Sequence, residues 1–228
     1  MQSNFSIAEE NYIKAIFHLQ NTDDNVSTND LAERLKTKAA SVTDMVKKLK
    51  SKKLLHYEPY QGVRLNTEGK KVALSIVRRH RLWEYFLVEK LKMGWDEVHA
   101  IAEELEHVSS KKLIDHLDVF LNHPKFDPHG DPIPDSNGKI IQQQQINLIQ
   151  LAENTEAEVT SVGSQSTELL EVLKHKNISI GTRLEIKKKF SFDQSVEIKI
   201  KNHAATTLSQ QLAEALFVKV FVEKNKLL

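Results

Sequence analysis

Between His80 and His107 the chain sets imidazole and carboxylate groups at helical spacing: His80-Arg-Leu-Trp-Glu84, then His99 followed by Glu103, Glu106 and His107. At about 100° per helical residue the last four fall within an arc of roughly 100°. Val98, Ile101, Ala102, Leu105 and Val108 occupy the remaining side. Such a helix buries an apolar face and presents nitrogen and oxygen donors beside it, the donor set of a divalent first-row metal. A single His or Glu on a helix is ordinarily a solvated residue. Two His/Glu pairs in adjoining helices, joined by Glu106-His107, make a metal centre the stronger reading.

Those donors need long helices to hold them. Thr67-Glu-Gly-Lys opens one in which Val72, Ile76, His80, Trp83, Leu87 and Leu91 recur every three or four residues. A second runs from Asp96 to His107. This is more apolar surface than one three-helix unit covers, so part of it, with a helix from Ser110 to Leu121, is expected at a subunit interface.

Ahead of these helices lies a basic block. Between Arg34 and Lys71 there are 11 Lys/Arg against 3 acids, Asp44, Glu58 and Glu68, inside a chain of net charge +1. That asymmetry fits a polyanion-binding face or a plain solvated surface, and local pattern favours the former. Tyr12, Ile13, Ile16 and Phe17 follow helical spacing, and Asn21 to Asn25 reads as the turn that ends that helix. Ser27-Thr-Asn-Asp30 caps a second helix bearing Leu31, Ala32 and Leu35. A third, after Thr37-Lys38, carries Val42, Met45, Val46 and Leu49. Two short helices with a tight turn between them make a helix-turn-helix. Leu54 to Glu58 and Val63 to Leu65 then form a hairpin through Pro59-Tyr-Gln-Gly62, the layout of a winged helix. Candidate contacts to a duplex are Ser27 and Thr28 at the second helix, Lys38, Ala39, Ala40, Ser41, Thr43, Asp44, Lys47 and Lys48 on the third, and Arg64 on the wing.

The region from His123 to Gly138 holds four of the chain's five prolines and reads as a connection. From Ala157 the pattern changes to short alternating segments: Ala157–Val162, Arg183–Lys187, Ser195–Ile200 and Leu216–Val222. A helix is expected at Thr167–His175 and another turn of helix at Leu208–Ala215. About five short strands in some seventy residues point to a small β-barrel. Gln142 to Gln145 is a polar tract with no evident chemistry. The expected architecture is mainly α with a small β part, divided as 1–71 (DNA binding), 72–141 (helical, metal and dimer, ending in the proline-rich linker) and 142–228 (β). There are no cysteines, which excludes thiol catalysis and disulfides. No apolar run approaches a membrane span and Met1-Gln-Ser-Asn is no signal peptide, so a cytoplasmic protein is expected.

The sequence resembles the diphtheria-toxin-repressor-like metalloregulators, which include the manganese transport regulators. The resemblance covers nearly the whole chain: Glu10-Asn11-Tyr12-Ile13, Ser41 to Leu49, Leu65-Asn-Thr-Glu-Gly-Lys70, Arg79 to Glu84, Val98-His99 through His107, and His129-Gly-Asp-Pro-Ile-Pro134. It implies a homodimer that binds a divalent metal and occupies operator DNA of metal-transport genes. It also implies that the β domain is SH3-like, of the type shared with ferrous-iron transport accessory proteins. Carried over by position, the activating site uses Glu103, Glu106 and His107 with Asn11. A second site uses His80, Glu84 and His99, with Asp127 and His129 from the linker and Glu168 from the C-terminal domain. Where one branch has Asp in the first helix this chain has Asn11. Where the two-manganese branch has Glu one turn later it has Lys14, which argues against a coupled two-metal cluster. Iron-responsive members place sulfur where Asn11 and Glu103 stand, so the harder oxygen donors favour Mn(II) as the cofactor, with Fe(II) the alternative.

Two competing readings differ in class. A metal-dependent hydrolase would use the same donors to activate water, but no nucleophile or phosphate loop accompanies them and no small-molecule substrate is expected. A metal-independent winged-helix regulator would keep the histidines as structural residues.

Overall fold

The computed structural model describes residues 5–20 and 25–221. Asn21 to Asp24 of the expected turn, Met1 to Asn4 and Val222 lie outside them. The chain divides into two compact units. The first gathers the chain up to Trp83 with Glu103–Phe120 and Pro134–Ile140; the second comprises Glu84–Ala102, Leu121–Ile133 and the chain from Ile141.

In the first unit, α1 (Ile7–Leu19) begins with a reciprocal cap. The Ser6 hydroxyl accepts from Glu9 N–H, and the Glu9 carboxylate accepts from Ser6 N–H at 2.9 Å. Its Tyr12, Ile13, Ala15 and Ile16 are buried against α2 (Thr28–Arg34) and α3 (Ala39–Ser51), whose Leu31, Val42, Val46 and Leu49 close the same core. Ser27 caps α2 by accepting from Asp30 N–H. Strands β1 (Leu55–Glu58) and β2 (Gly62–Leu65) pair antiparallel as the wing, and Val26 adds a bridge to Val63 on the other edge. Gly62 has φ +93°, and a Cβ there would stand 2.6 Å from the Val26 carbonyl oxygen. The turn therefore needs glycine for both its backbone and its space.

Three further helices follow: α4 (Thr67–Glu89), α5 (Val98–Leu105) and α6 (Lys111–Phe120). The α5 pattern predicts helix through His107, yet the helix ends at Leu105. The Glu106 carbonyl is taken by the Arg79 guanidinium, and Val108 N–H closes a turn onto Leu105. A helix end whose carbonyl finds a side-chain partner has no need of another turn.

The second unit carries an antiparallel sheet of six strands: β3 (Ile146–Asn147), β4 (Glu156–Val162), β5 (Arg183–Lys189), β6 (Val196–Ile200), β7 (Thr206–Leu208) and β8 (Leu216–Val220). Their order is β3-β8-β4-β5-β6-β7. Register shifts at Val159/Ser161 and Ile186/Lys188 are bulges, which curve such a sheet over its core. Alternation on β6 buries Val196, Ile198 and Ile200. Helix α7 (Thr167–His175), capped by Ser166, and α8 (Gln210–Glu214) add Leu170, Leu173, Leu212 and Ala213 to that core. Strands β3 and β7 escape the sequence reading because two or three residues show no period. Gln145, from the polar tract, accepts hydrogen bonds at 3.0 Å from both Thr160 and Ser161 hydroxyls on β4. Among the described residues no helix is long and apolar enough to cross a membrane.

Candidate metal centres and nucleic-acid surface

In the first unit, side chains of α1, α4 and the end of α5 converge. Glu106 is fully buried. His80 Nδ1 lies 2.7 Å from its Oε2, and Lys14 Nζ lies 2.8 Å from its carboxylate oxygens and 3.3 Å from Glu103 Oε1. His107 Nδ1 is 2.6 Å from Glu10 Oε2, while Glu10 Oε1 accepts from Arg79 at 2.7 Å. Burial works to raise the Glu106 pKa, but His80 and Lys14 outweigh it and hold the carboxyl below its usual range, so Glu106 is ionised.

Four sequence candidates, His80, Glu103, Glu106 and His107, are thus brought together. Within this unit His80 bonds Glu106. Asn11 is half-buried on α1, but the residue that meets His107 is its neighbour Glu10, which sequence reasoning passed over. An acid in the first turn of a helix is ordinarily there for the helix dipole, so nothing local marked it. Lys14 is the ammonium around which two carboxylates gather, a tethered stand-in for a bound cation. The donor set at this place therefore fits a metal ion of oxygen and nitrogen preference.

The second unit holds a separate cluster on the last turns of α4, on α5 and on the 127–131 loop. Glu84, Asp127 and His129 are buried, with one donor atom from each within 4.8 Å of the others. His99 Nδ1 bonds Glu84 Oε1 at 3.1 Å. His129 is oriented from behind: its Nε2 bonds the Trp95 carbonyl at 2.8 Å and its ring stacks on that indole. The proton therefore sits on Nε2 in the neutral ring, and Nδ1 turns its lone pair toward Glu84 Oε2 at 3.6 Å and Asp127 Oδ1 at 4.0 Å. Acceptors facing one another at such spacing call for a cation between them, either a second ring proton or a metal. Burial opposes the imidazolium, but Glu84 and Asp127 prevail and raise the His129 pKa above its ordinary value. The loop that aims these groups depends on Asp127 Oδ1 accepting from the N–H of His129 and Asp131. It depends equally on Gly130 at φ +87°, where a Cβ would lie 1.9 Å from the Thr160 oxygen. Glu168 stands apart from this cluster, exposed in the first turn of α7 beside a surface cavity of about 610 Å³.

The nucleic-acid candidates are spread over α2, α3 and the wing, most of them exposed. Lys38, Ala39, Ala40, Ser41, Asp44, Lys47 and Lys48 are exposed on α3 or its start, while Val42, Val46 and Leu49 face inward. Thr43 is half-buried and its hydroxyl bonds back to Ala39 O. Lys38 occupies the N-cap without capping the helix through its side chain, so the first N–H groups of α3 remain available to a phosphate. Ser27 is exposed at the start of α2, Thr28 half-buried, and Arg64 exposed on β2. Lys48 and Lys52 also reach back to Glu9, at 3.2 and 2.6 Å.

Three stretches of the chain match known families. Residues 4–63 match the family model described as iron dependent repressor, N-terminal DNA binding domain. Residues 66–135 match the metal binding and dimerisation domain of the same repressors, and residues 146–220 match the FeoA domain. The HTH-type transcriptional regulator MntR of Oceanobacillus iheyensis is 35% identical over 118 residues, 52% of this chain and 80% of that protein. The iron-dependent repressor IdeR of Mycobacterium tuberculosis is 28% identical over 219 residues, 92% of this chain and 95% of that one. A solved manganese-dependent transcriptional repressor in complex with manganese superposes with a TM-score of 0.84 at 32% identity, covering 93% of this chain and 100% of that one.

Proposed function

The chain belongs to the diphtheria-toxin-repressor-like family of metal-dependent DNA-binding repressors, and from that premise we propose that Mn(II) activates it at operators of metal-transport genes. The observation that carries this reading is the meeting of Glu10, His80, Glu103, Glu106 and His107 in the unit that bears the winged helix. All are oxygen or nitrogen donors, which suits a hard or borderline ion such as Mn(II); Fe(II) is the alternative. A solved repressor named as manganese-dependent and a repressor named as iron-dependent both occur among its relatives.

A divalent cation, when bound, supplies a fixed double charge that draws carboxylates and imidazoles from separate helices together. The chain's own residues relay this to DNA. Glu9 and Glu10 are consecutive on α1 and face different partners: Glu10 holds His107 and Arg79, whereas Glu9 holds Lys48 of the recognition helix and Lys52 at its C-cap. Whatever sets the position of α1 against His107 therefore also sets α3. Ligand-driven activation requires that the cation favour the DNA-competent arrangement by its differential affinity. Lys47 and Arg64 supply phosphate contacts, and the small residues Ala39, Ala40 and Ser41 let the backbone approach base edges. The second cluster, Glu84, His99, Asp127 and His129, is a further metal site. Helix α6 leaves Leu113 and Val119 exposed while Ile114 and Leu117 are buried, and that outer face is the homodimer contact. The working compartment is the cytoplasm, where the operator lies.

The deciding experiment is a gel-shift assay on the gene's own upstream region with a panel of divalent ions. Binding should require Mn(II), vanish on chelation, and be lost by at least tenfold in Glu103→Ala and His107→Ala while both variants stay folded. Unchanged promoter affinity after complete chelation would remove the metal from the mechanism.

A further inference from the structure

Lys14 is not explained by DNA binding or by packing. It sits one turn after Glu10 on the same face of α1. Its four-carbon stem is largely covered, the side chain being 13% exposed, and its ammonium reaches two carboxylates that come from positions 89 and 92 residues further along the chain. One of them, Glu106, has no access to solvent. A buried carboxylate stripped of its cation is costly, so an ionised Glu106 needs a positive group beside it whether or not a metal is bound. The Glu10 carboxylate takes the Arg79 guanidinium, while Glu106 takes the Lys14 ammonium and the His80 ring and Glu103 shares that ammonium. A divalent cation entering there would add two positive charges beside the one already present, at donor atoms the lysine already uses.

We propose that Lys14 is a built-in competitor: its ammonium occupies the Glu103/Glu106 donor atoms in the metal-free protein and must withdraw when the activating cation binds, raising the metal concentration at which the repressor responds. This rests on the reading of that cluster as the activating site. The long flexible stem suits the task, since a lysine can swing its charge toward solvent by rotation alone. Arginine at the same position would hold the carboxylates in a planar fork and release them less readily.

The test is a Mn(II) titration of the full-length protein by calorimetry, with free Mn(II) followed by electron paramagnetic resonance. The component lost in Glu103→Ala identifies the site. Lys14→Met and Lys14→Gln should tighten that component by about 10- to 100-fold, the factor expected when charge-assisted hydrogen bonds no longer have to be broken. Lys14→Arg should leave it equal to wild type or weaker. Without metal, Lys14→Met should melt below wild type, and saturating Mn(II) should raise its melting temperature by more than it raises that of wild type. Should Lys14→Met fail to fold, Lys14→Gln retains a polar end and serves alone. Equal or weaker Mn(II) affinity in the neutral variants overturns the competitor role. If Mn(II)-dependent operator binding persists alongside that result, the lysine inference alone has failed; if no variant and no wild-type protein binds Mn(II), the metal reading falls with it.

Discussion

His129 shows how a side chain is tuned by what lies on both sides of it. Its Nε2 is fixed by the Trp95 carbonyl, and its Nδ1 faces Glu84 and Asp127. Proton and metal compete for that one lone pair. The raised pKa means that the metal-free fold gains stability from the imidazolium in full below the ordinary value of 6.5, and loses it as pH rises through the raised value. Metal affinity runs the opposite way and strengthens over the same interval. Two outcomes follow: without metal, the melting-temperature gap between wild type and His129→Gln should shrink from pH 6 to pH 9, and with excess Mn(II) elemental analysis should find one metal fewer per subunit in His129→Ala. A gap independent of pH would show that the ring is never charged. His80, Glu84, His99, Glu103, Glu106 and His107 are legible from spacing alone because a helix repeats its faces every three or four residues. Glu10 and Lys14 were not legible as cluster members. Their partners are about ninety residues away, and no local pattern records a contact made by folding.

At the scale of elements, the proposed coupling runs through the joint between α1 and α3. Glu9 is 2% exposed and its pKa falls from 4.5 to about 2: burial pushes it up, while Lys52, the Ser6 N–H and Lys48 pull it down further. A depressed carboxyl contributes stability that is full above about pH 4.5 and is lost as pH falls toward 2. Glu9→Ala, which forfeits the carboxylate that accepts from Ser6 N–H together with the ion pairs, should cost about 1–2 kcal/mol in urea unfolding. Glu9→Gln keeps the cap without the charge, and its deficit should close as the pH approaches 2. A deficit that persists there would mean that the ion pairs to α3 contribute nothing. The helices and the wing are readable in the sequence, their caps included. The early end of α5 at Leu105 is not, because it is decided by the Arg79 side chain from another helix.

At the scale of the whole molecule, the exposed Leu113 and Val119 on α6 make a concrete claim. Operator readers gain specificity from paired half-sites, so a subunit that cannot pair reads DNA weakly. Val119→Asp should sediment as a monomer at micromolar concentration and lose operator affinity by well over tenfold, while binding Mn(II) as wild type does. A dimer that survives this change would move the interface to another face. The order of the three parts of the chain follows from composition: a basic helical block, a donor-bearing helical stretch, a proline-rich break and a run of alternating strands.

What the amino-acid order determined unaided is the succession of helices, wing and strands, because helix period, strand alternation, capping residues and charge blocks are properties of neighbours along the chain; the kind of protein came with the family resemblance of its motifs. The grouping of donors was decided only by tertiary structure. It is there that Glu10 rather than Asn11 meets His107, that Lys14 enters between Glu103 and Glu106, and that Asp127 and His129 turn onto Glu84. Those contacts join residues far apart in the chain, and their geometry exists only once the intervening core has packed.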